Sequence, residues 1–232
     1  MNARIKKGML VTALAMSVNT AMAAQGIDIK VTGKILPSSC TPAFPSGGGI
    51  ADFGTMKVAS LNSTSMTPLT DIKEIPVTIT CEEATRVAVK FTDARDDSSP
   101  TEPVDINKNF ADLPYYMFGL GMYNGKKIGA YALALFRTQG ANTNGNGNPL
   151  YPLASFDGGK VWIDGGVDYM QIHSDNTEIY AFTSDKTSGV PSAESKINFK
   201  VAVSATINPT NDLNVTDEVT LDGLTNVELV YL

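Results

Sequence analysis

The sequence predicts an all-β fold, a sandwich or barrel built from short strands. Apolar and polar side chains alternate with a period of two along most of the chain, and the three-to-four spacing of an amphipathic helix is nearly absent. Segments rich in Gly, Asn, Ser and Pro separate the alternating runs, as expected of strands joined by turns. No internal repeat and no linker divides the alternating region, so we expect a single domain.

The first predicted strands lie in the N-terminal third of the chain. Residues 28–35 alternate without a break, and residues 76–81 carry apolar side chains at odd positions. Pro76 cannot donate a hydrogen bond to a neighbouring strand, so we expect it to be the first residue of its own strand. Residues 86–92 alternate in the same way, and residues 82–85 are expected to form the turn of a hairpin between the two runs.

A second hairpin is predicted at Asn124-Gly125, because both residues tolerate the positive φ angles of a two-residue hairpin turn. Residues 116–122 and 128–136 flank this turn as strands. The remaining predicted strands are residues 160–163, 178–182, 198–207, 219–221 and 227–232.

The first 23 residues are expected to form a secretory signal peptide. Arg4, Lys6 and Lys7 precede an apolar run at residues 8–18, and Ala21-Met22-Ala23 supplies the small residues that signal peptidase requires. The apolar run is shorter than the roughly 20 residues that a membrane-spanning helix needs. Removal of these 23 residues from the 232 leaves 209, and we expect them to be exported through the inner membrane.

Charge and cysteine usage narrow the function further. Without the signal peptide, 15 basic side chains stand against 24 acidic ones, and a net charge of −9 would repel nucleic acid and anionic lipid. Cys40 and Cys81 are the only cysteines, and an even count in an exported chain favours a disulfide. Closing a loop of about 40 residues stabilises the fold by about 4 kcal/mol in the chain-entropy model.

The sequence contains no recognisable catalytic, metal-binding or cofactor motif, so we expect neither an enzyme nor a cofactor. His173 is the only histidine and no nucleophile motif surrounds it, which makes a loop or surface position the expected one. Phosphate-cradling motifs and the ligand spacing of a calcium loop are also missing. Trp162 is the only tryptophan; it is expected in a core, with a sugar-binding platform near Tyr169 as the alternative.

Three features together resemble the pilin subunits of chaperone–usher fimbriae in Gram-negative bacteria. Residues 31–35, with Cys40 seven residues after a central glycine, resemble the N-terminal extension of a pilin leading into its first strand. Cys81, at the end of an alternating run, resembles the second cysteine of the disulfide that joins the first two pilin strands. Residues 203–207 and 227–232, with a penultimate Tyr231, resemble the last two strands.

The resemblance is closer to one branch, the fimbrial-like proteins that are grouped under a domain of unknown function. The segments that carry it are Asp52-Phe53-Gly54, Phe118-Gly119-Leu120-Gly121, Gly125-Lys126-Lys127-Ile128-Gly129 and the ending Val230-Tyr231-Leu232. One departure is the middle of the chain, roughly residues 93–195, which is longer than in ordinary shaft pilins.

The resemblance implies an immunoglobulin-like, pilin-type sandwich that lacks its last strand and therefore carries a hydrophobic groove. Residues 24–36 would be an N-terminal donor-strand extension and residues 37–232 the sandwich domain. A periplasmic pilus chaperone would fill the groove first, and an outer-membrane usher would then direct its replacement by the donor strand of another subunit. Val227, Leu229 and Tyr231 would line the groove and be recognised by the chaperone. The mature subunit would pass from the periplasm to a fimbria on the cell surface, in a homo- or heteropolymer with a role in adhesion to a host glycan or receptor.

The residues themselves are suited to act as a donor strand. One face of the extended segment carries Ile27, Ile29, Val31, Gly33 and Ile35, and the other face is polar. Burying the four branched side chains would contribute roughly 6–12 kcal/mol before the costs of ordering are subtracted. Gly33 would fit a shallow place where two backbones approach closely.

Three alternatives remain at the level of sequence. Judged by its alternation alone, the segment serves equally well as the first strand of its own sandwich, which would make the chain a self-complemented periplasmic protein; its position ahead of Cys40 and the C-terminal pattern favour the donor strand. Tyr231 serves equally well as an ordinary core aromatic near the end of a strand. The long middle loops favour a tip adhesin or carbohydrate-binding module as a further reading.

Overall fold

The computed structural model describes residues 29–34, 39–165 and 167–232. The chain divides into Met1–Leu36 and Pro37–Leu232, and each part is treated by itself. The predicted signal peptide lies outside the described residues. No helix in the described part of the chain is long and apolar enough to cross a membrane.

In the first part, only residues 29–34 are described. They carry no strand or helix, and the side chains of Ile29 and Val31 are 89% and 92% exposed. The predicted donor positions Ile27 and Ile35 lie outside the described residues.

The second part is all-β, as the alternation predicts. The strands are β1 Cys40–Ala43, β2 Thr67–Pro68, β3 Lys73–Thr85, β4 Val87–Asp93, β5 Met117–Gly119, β6 Met122–Tyr123, β7 Lys126–Lys127, β8 Gly129–Phe136, β9 Thr143–Asn144, β10 Tyr151–Ser155, β11 Tyr169–Gln171, β12 Ile179–Thr183, β13 Glu194–Ile207 and β14 Thr225–Tyr231. A single turn of helix, α1, spans Thr210–Leu213, and four 3-10 turns lie at Gly47–Gly49, Val58–Ser60, Asp96–Ser98 and Pro114–Tyr116.

Two antiparallel sheets face each other and form a β-sandwich. The larger sheet runs in the order β1-β3-β13-β8-β11, with β2 and β9 added beside β13 and β5 beside β8. The smaller sheet runs β10-β12-β4-β14. Odd-numbered side chains of β3, β4, β8 and β13 point into the space between the sheets, because successive side chains of a strand alternate between its two faces.

The outer face of the larger sheet carries a second core. Ala130, Ala132, Ala134 and Ala202 present small side chains there. Val104, Ile106, Phe110 and Met117, from the segment that precedes and begins β5, pack against these alanines and are all buried. The long middle of the chain therefore supplies a cover for this face of the sheet.

The disulfide between Cys40 and Cys81 is present, which confirms the prediction from the cysteine count. The two cysteines are register partners at the start of the β1–β3 pairing. The Asn124-Gly125 hairpin is also confirmed: both residues have positive φ, and β6 pairs with β7 across them.

The predicted hairpin at residues 82–85 is wrong. β3 continues to Thr85, where it still pairs with Glu194, and β4 begins at Val87 in the other sheet. The chain therefore turns a corner of the sandwich instead of reversing within one sheet. The alternation is the same in both cases, because two strands that face each other across a core both direct their apolar side chains inward.

Pro76 is the fourth residue of β3 and lies opposite Lys200, so its predicted position at the start of the strand is also wrong. β1 ends opposite Thr78, which leaves β3 with a partner on one side only at the proline. A strand that has one open side can accommodate a residue without an N–H group.

Two further predicted strands do not form, although their apolar residues are packed. In residues 160–163, only Ile163 makes an isolated bridge, to Ala154, and Trp162 packs over the outer face of the smaller sheet. Residues 219–221 have no partner strand, and Val219 and Leu221 instead pack against the core between the sheets.

Candidate functional site: an apolar groove between the sheets

An apolar cavity of about 920 Å³ lies between the two sheets. Its floor on the larger sheet includes Ile75, Tyr131, Leu133 and Val203, and Phe91 contributes from the smaller sheet. We refer to this cavity, together with the edge of β14 beside it, as the groove. Its volume is near the upper end of the range for binding pockets and is large enough for several side chains.

β14 forms one border of the groove and is an edge strand. Among the described residues it pairs with β4 alone, in a register that runs from Thr225 opposite Asp93 to Tyr231 opposite Val87. The N–H and C=O groups on its other side are therefore available to a further strand. Seven residues at about 3.3 Å each give this edge a length of about 23 Å.

Val227 and Leu229 point from β14 toward the core between the sheets and are only partly buried. Val227 lines the cavity directly, and Leu229 packs against the core. Incomplete burial of two branched side chains on an inward face is unusual in a finished sandwich, and a further apolar strand would complete it.

A segment without strands borders the groove as a first wall. Within residues 48–58, Ala51, Phe53 and Met56 pack partly against the core. A side-chain turn shapes this wall, because the carboxylate of Asp52 accepts a hydrogen bond of 2.7 Å from the N–H of Gly54. The motif Asp52-Phe53-Gly54 thus acts by turning the chain so that Phe53 lines the groove.

A second wall without strands spans residues 215–224, and two polar contacts fasten it. Arg95 makes a two-pronged ion pair with Asp222, at 2.8 and 3.1 Å, and Tyr123 donates a hydrogen bond to Asp217. The hydrogen bond from Arg95 lowers the pKa of Asp222 below its ordinary value, so this carboxylate stays ionised at neutral pH.

Two tyrosine hydroxyls join β14 to the larger sheet, one at each end of the strand. The hydroxyl of Tyr131 on β8 lies 2.7 Å from the hydroxyl of Thr225, and the hydroxyl of Tyr231 accepts a hydrogen bond of 2.8 Å from the N–H of Cys40. Burial raises the pKa of Tyr131 above its ordinary value, so its hydroxyl stays protonated at neutral pH.

The motif Phe118-Gly119-Leu120-Gly121 supports the floor of the groove. Phe118 is fully buried and stacks on Tyr131 at 5.2 Å between ring centroids. Gly119 donates its N–H to the buried carboxylate of Asp93 at 2.8 Å. A side chain at Gly119 would lie 2.0 Å from the hydroxyl of Ser98, so only glycine fits this close approach.

The structure brings together only some of the residues singled out from the sequence. Val227, Leu229 and Tyr231 lie on one face of β14 at the groove, and Tyr231 reaches Cys40 beside the disulfide. Of the predicted donor positions, Ile29, Val31 and Gly33 fall within the described residues 29–34.

The sequence pattern reveals neither wall of the groove and neither of the tyrosine contacts across it. The motif Asp52-Phe53-Gly54 was the only signal for the first wall. Nothing in the local pattern around Tyr131 distinguishes it from the other inward-facing residues of β8, because its partner Thr225 is 94 residues away in sequence.

Trp162 and Tyr169 do not form a joint platform. Trp162 packs with Ala88, Ile179, Ala181 and Val230, and its indole N–H donates to the carbonyl of Gly159 at 3.0 Å. Tyr169 belongs to the outer core of the larger sheet, where it stacks on Phe110.

His173 lies in the loop between β11 and β12, as expected, and is partly buried in an aromatic cluster. Its ring centroid is 4.7 Å from those of both Tyr115 and Tyr116, and its Nε2 atom is 3.8 Å from Glu178. Burial raises the pKa of Glu178 above its ordinary value, although the hydrogen bond donated by Tyr180 opposes this shift. Within the described ranges, no three His, Cys, Asp or Glu side chains are arranged to hold a metal ion.

Comparison with known proteins gives matches along nearly the whole chain. The model of the family described as "Protein of unknown function (DUF1120)" matches residues 29–132. The uncharacterized protein YhcF of Escherichia coli K12 is 29% identical over 241 aligned positions, which cover 94% of this chain and 97% of that protein. Protein GltF of the same organism is 26% identical over 243 positions, covering 95% of this chain and 94% of that protein. These similarities fit the resemblance that the sequence motifs carry to an uncharacterised, fimbrial-like family.

Proposed function

We propose that this protein is a non-enzymatic, structural subunit of a chaperone–usher fimbria that assembles by donor-strand complementation. The observation that carries the proposal is the groove: an apolar cavity of about 920 Å³ lies beside an edge strand that has no second partner among the described residues. An extended segment with apolar side chains on one face would supply both the missing hydrogen bonds and the missing side chains.

The predicted donor segment has the dimensions and chemistry for this role. Residues 27–35 would extend over about 30 Å as a strand, against about 23 Å for the edge of β14. Four branched side chains on one face match the branched and aromatic lining of the groove. A shift of one residue would direct Asp28, Lys30 and Lys34 into the apolar cavity, so a single register is strongly favoured.

The proposal includes the partners and the location that such assembly requires. A periplasmic chaperone would protect the groove after export, and an outer-membrane usher would exchange the chaperone for the donor segment of another subunit. An exposed apolar surface of this size promotes aggregation. The chaperone would therefore cover the groove until the donor segment replaces it. The finished fibre would lie on the cell surface and serve adhesion.

Substitutions on the two faces of the donor segment test the proposal. Ile29→Asp places a charge on the apolar face and Gly33→Phe places a bulky ring there, so both should abolish incorporation into fibres while the sandwich still folds. Thr32→Asp introduces the same carboxylate on the polar face and should be incorporated normally. Incorporation would be measured by immunogold labelling of fibres and by SDS-resistant ladders. Normal incorporation of Ile29→Asp and Gly33→Phe would refute assembly by donor strand.

A further inference from the structure

The positions of Tyr131 and Tyr231 suggest how the open edge of β14 keeps its place. The side chain of Tyr131 starts in the larger sheet, crosses the interior and meets Thr225, the first residue of β14. Tyr131 is 6% exposed, and a side chain at Gly223 would lie 2.7 Å from its ring, so the chain just before β14 passes directly against the tyrosine.

Tyr231 makes the corresponding contact at the other end of β14. Here the tyrosine belongs to β14 and its partner belongs to the larger sheet. Tyr231 is the last residue of β14, and its hydroxyl accepts the N–H of Cys40 in the larger sheet. Cys40 is itself fixed by the disulfide to Cys81 and by the pairing of β1 with β3. The tyrosine is therefore anchored on a residue that both the disulfide and the strand pairing hold in place.

Between these two contacts, the inward face of β14 borders the cavity. An empty apolar cavity loses the dispersion contacts that its lining would otherwise make, so the two sheets would tend to close over it. Movement of β14 toward the larger sheet would tilt its free N–H and C=O groups away from the line that an added strand needs. Contacts that hold both ends of the strand would oppose this movement.

We infer that Tyr131 and Tyr231 are positioning residues, which hold the two ends of β14 against the larger sheet so that its free edge is preformed for an incoming strand. The inference rests on the proposed donor-strand function and adds the residues that prepare the acceptor. A preformed edge lowers the ordering cost of binding. If the edge is no longer preformed, the first effect should be slower uptake of a strand.

The test uses the mature full-length protein with Ile29→Asp, so that its own donor segment does not fill the groove of another copy, and a fluorescent nine-residue peptide with the sequence of residues 27–35, whose uptake is followed by anisotropy. This protein is the unsubstituted reference for the variants below. Tyr131→Phe and Tyr231→Phe each remove one hydroxyl and keep the ring, and we expect uptake about two- to tenfold slower in each. Thr225→Val should slow uptake as Tyr131→Phe does, whereas Thr225→Ser keeps the hydroxyl and should match the unsubstituted protein. Tyr169→Phe, in the outer core, is the control and should also match it.

The double variant Tyr131→Phe, Thr225→Val tests whether the two substitutions act through one contact, and denaturation midpoints separate positioning from general destabilisation. Both substitutions remove the same hydrogen bond, so the double variant should be no slower than either single one. A purely structural role would lower the denaturation midpoint of the tyrosine variants without changing the uptake rate, and that result would overturn the inference. Failure of the unsubstituted protein to take up the peptide would instead overturn the donor-strand function, and the positioning role with it.

Discussion

The two faces of the larger sheet differ in how completely the rest of the chain covers them. The outer face carries four alanines, and the chain's own middle segment covers them with Val104, Ile106, Phe110 and Met117, all at most 7% exposed. The inner face carries large branched and aromatic side chains, yet it is left with a cavity of about 920 Å³ beside an edge strand. The described chain thus seals the face that offers less apolar surface and leaves open the face that offers more.

This difference indicates that the opening is a specific feature of the fold. Part of the long middle of the chain, residues 104–117, packs on the outer face and completes a core there. The two walls of the groove, in contrast, contain apolar side chains such as Phe53 and Leu221 but no strands. They border the opening without filling it.

The largest expected effect is a difference in stability between two variants, each of which loses an aromatic ring that packs against one face of the larger sheet. Phe110→Ala removes a buried ring from the outer core and should lower the free energy of unfolding by about 3–5 kcal/mol. Phe53→Ala removes a partly exposed ring from the groove wall and should lower it by about 1 kcal/mol. Urea denaturation measures both values, with each substitution made in the mature Ile29→Asp protein so that a second copy does not fill the groove. Equal losses would mean that the groove is filled in solution.

The next effect concerns the two faces of β14. Val227→Asp places a carboxylate on the groove side and should abolish uptake of a donor strand, because the charge would be buried without a partner. Asn226→Asp introduces the same group on the exposed side of the strand and should leave uptake unchanged. Peptide anisotropy measures both variants, each made in the mature Ile29→Asp protein so that the groove is free. If both bind equally well, the incoming strand does not direct side chains past Val227.

The smallest expected effect depends on pH and concerns Glu178, which lies beside His173 and does not line the groove. The pKa of Glu178 is raised in the folded state, so its ionisation opposes folding, and this penalty develops as the pH rises above the ordinary glutamate value of about 4.3. Glu178→Gln should therefore gain stability relative to the unsubstituted protein between pH 4 and pH 7. Denaturation at several pH values measures the gain, and a gain that grows toward low pH would contradict the assignment. Peptide uptake at pH 7 should be the same in both proteins.

The sequence predicted the fold class, the disulfide and most of the strands, because these depend on local alternation and on a cysteine count. The prediction failed where a hairpin and a crossing between sheets give the same alternation of apolar and polar residues. A hairpin was predicted at residues 82–85, whereas the chain crosses from one sheet to the other at Arg86. Residues 219–221 also alternate, and Val219 and Leu221 pack against the core, but they form no strand because no partner strand lies beside them.

The candidate site was predicted only in part, for a related reason. The last strand and its inward residues Val227 and Leu229 could be recognised from the C-terminal pattern. The contacts of Tyr131 with Thr225 and of Tyr231 with Cys40 join residues 94 and 191 positions apart, and no local signal marks them. Such contacts depend on how the sheets stack, which alternation alone leaves undetermined.

The central claim is that residues 27–35 of one copy complete the sandwich of another. The most direct measurement is the size and mass of the purified mature protein, with and without deletion of residues 24–34, by SDS electrophoresis before and after heating and by mass spectrometry under native conditions. Our account predicts heat- and SDS-resistant ladders for the intact protein, and their disappearance after the deletion. A stable full-length monomer that loses its fold on deletion would contradict the account, and would show that the segment completes its own sandwich.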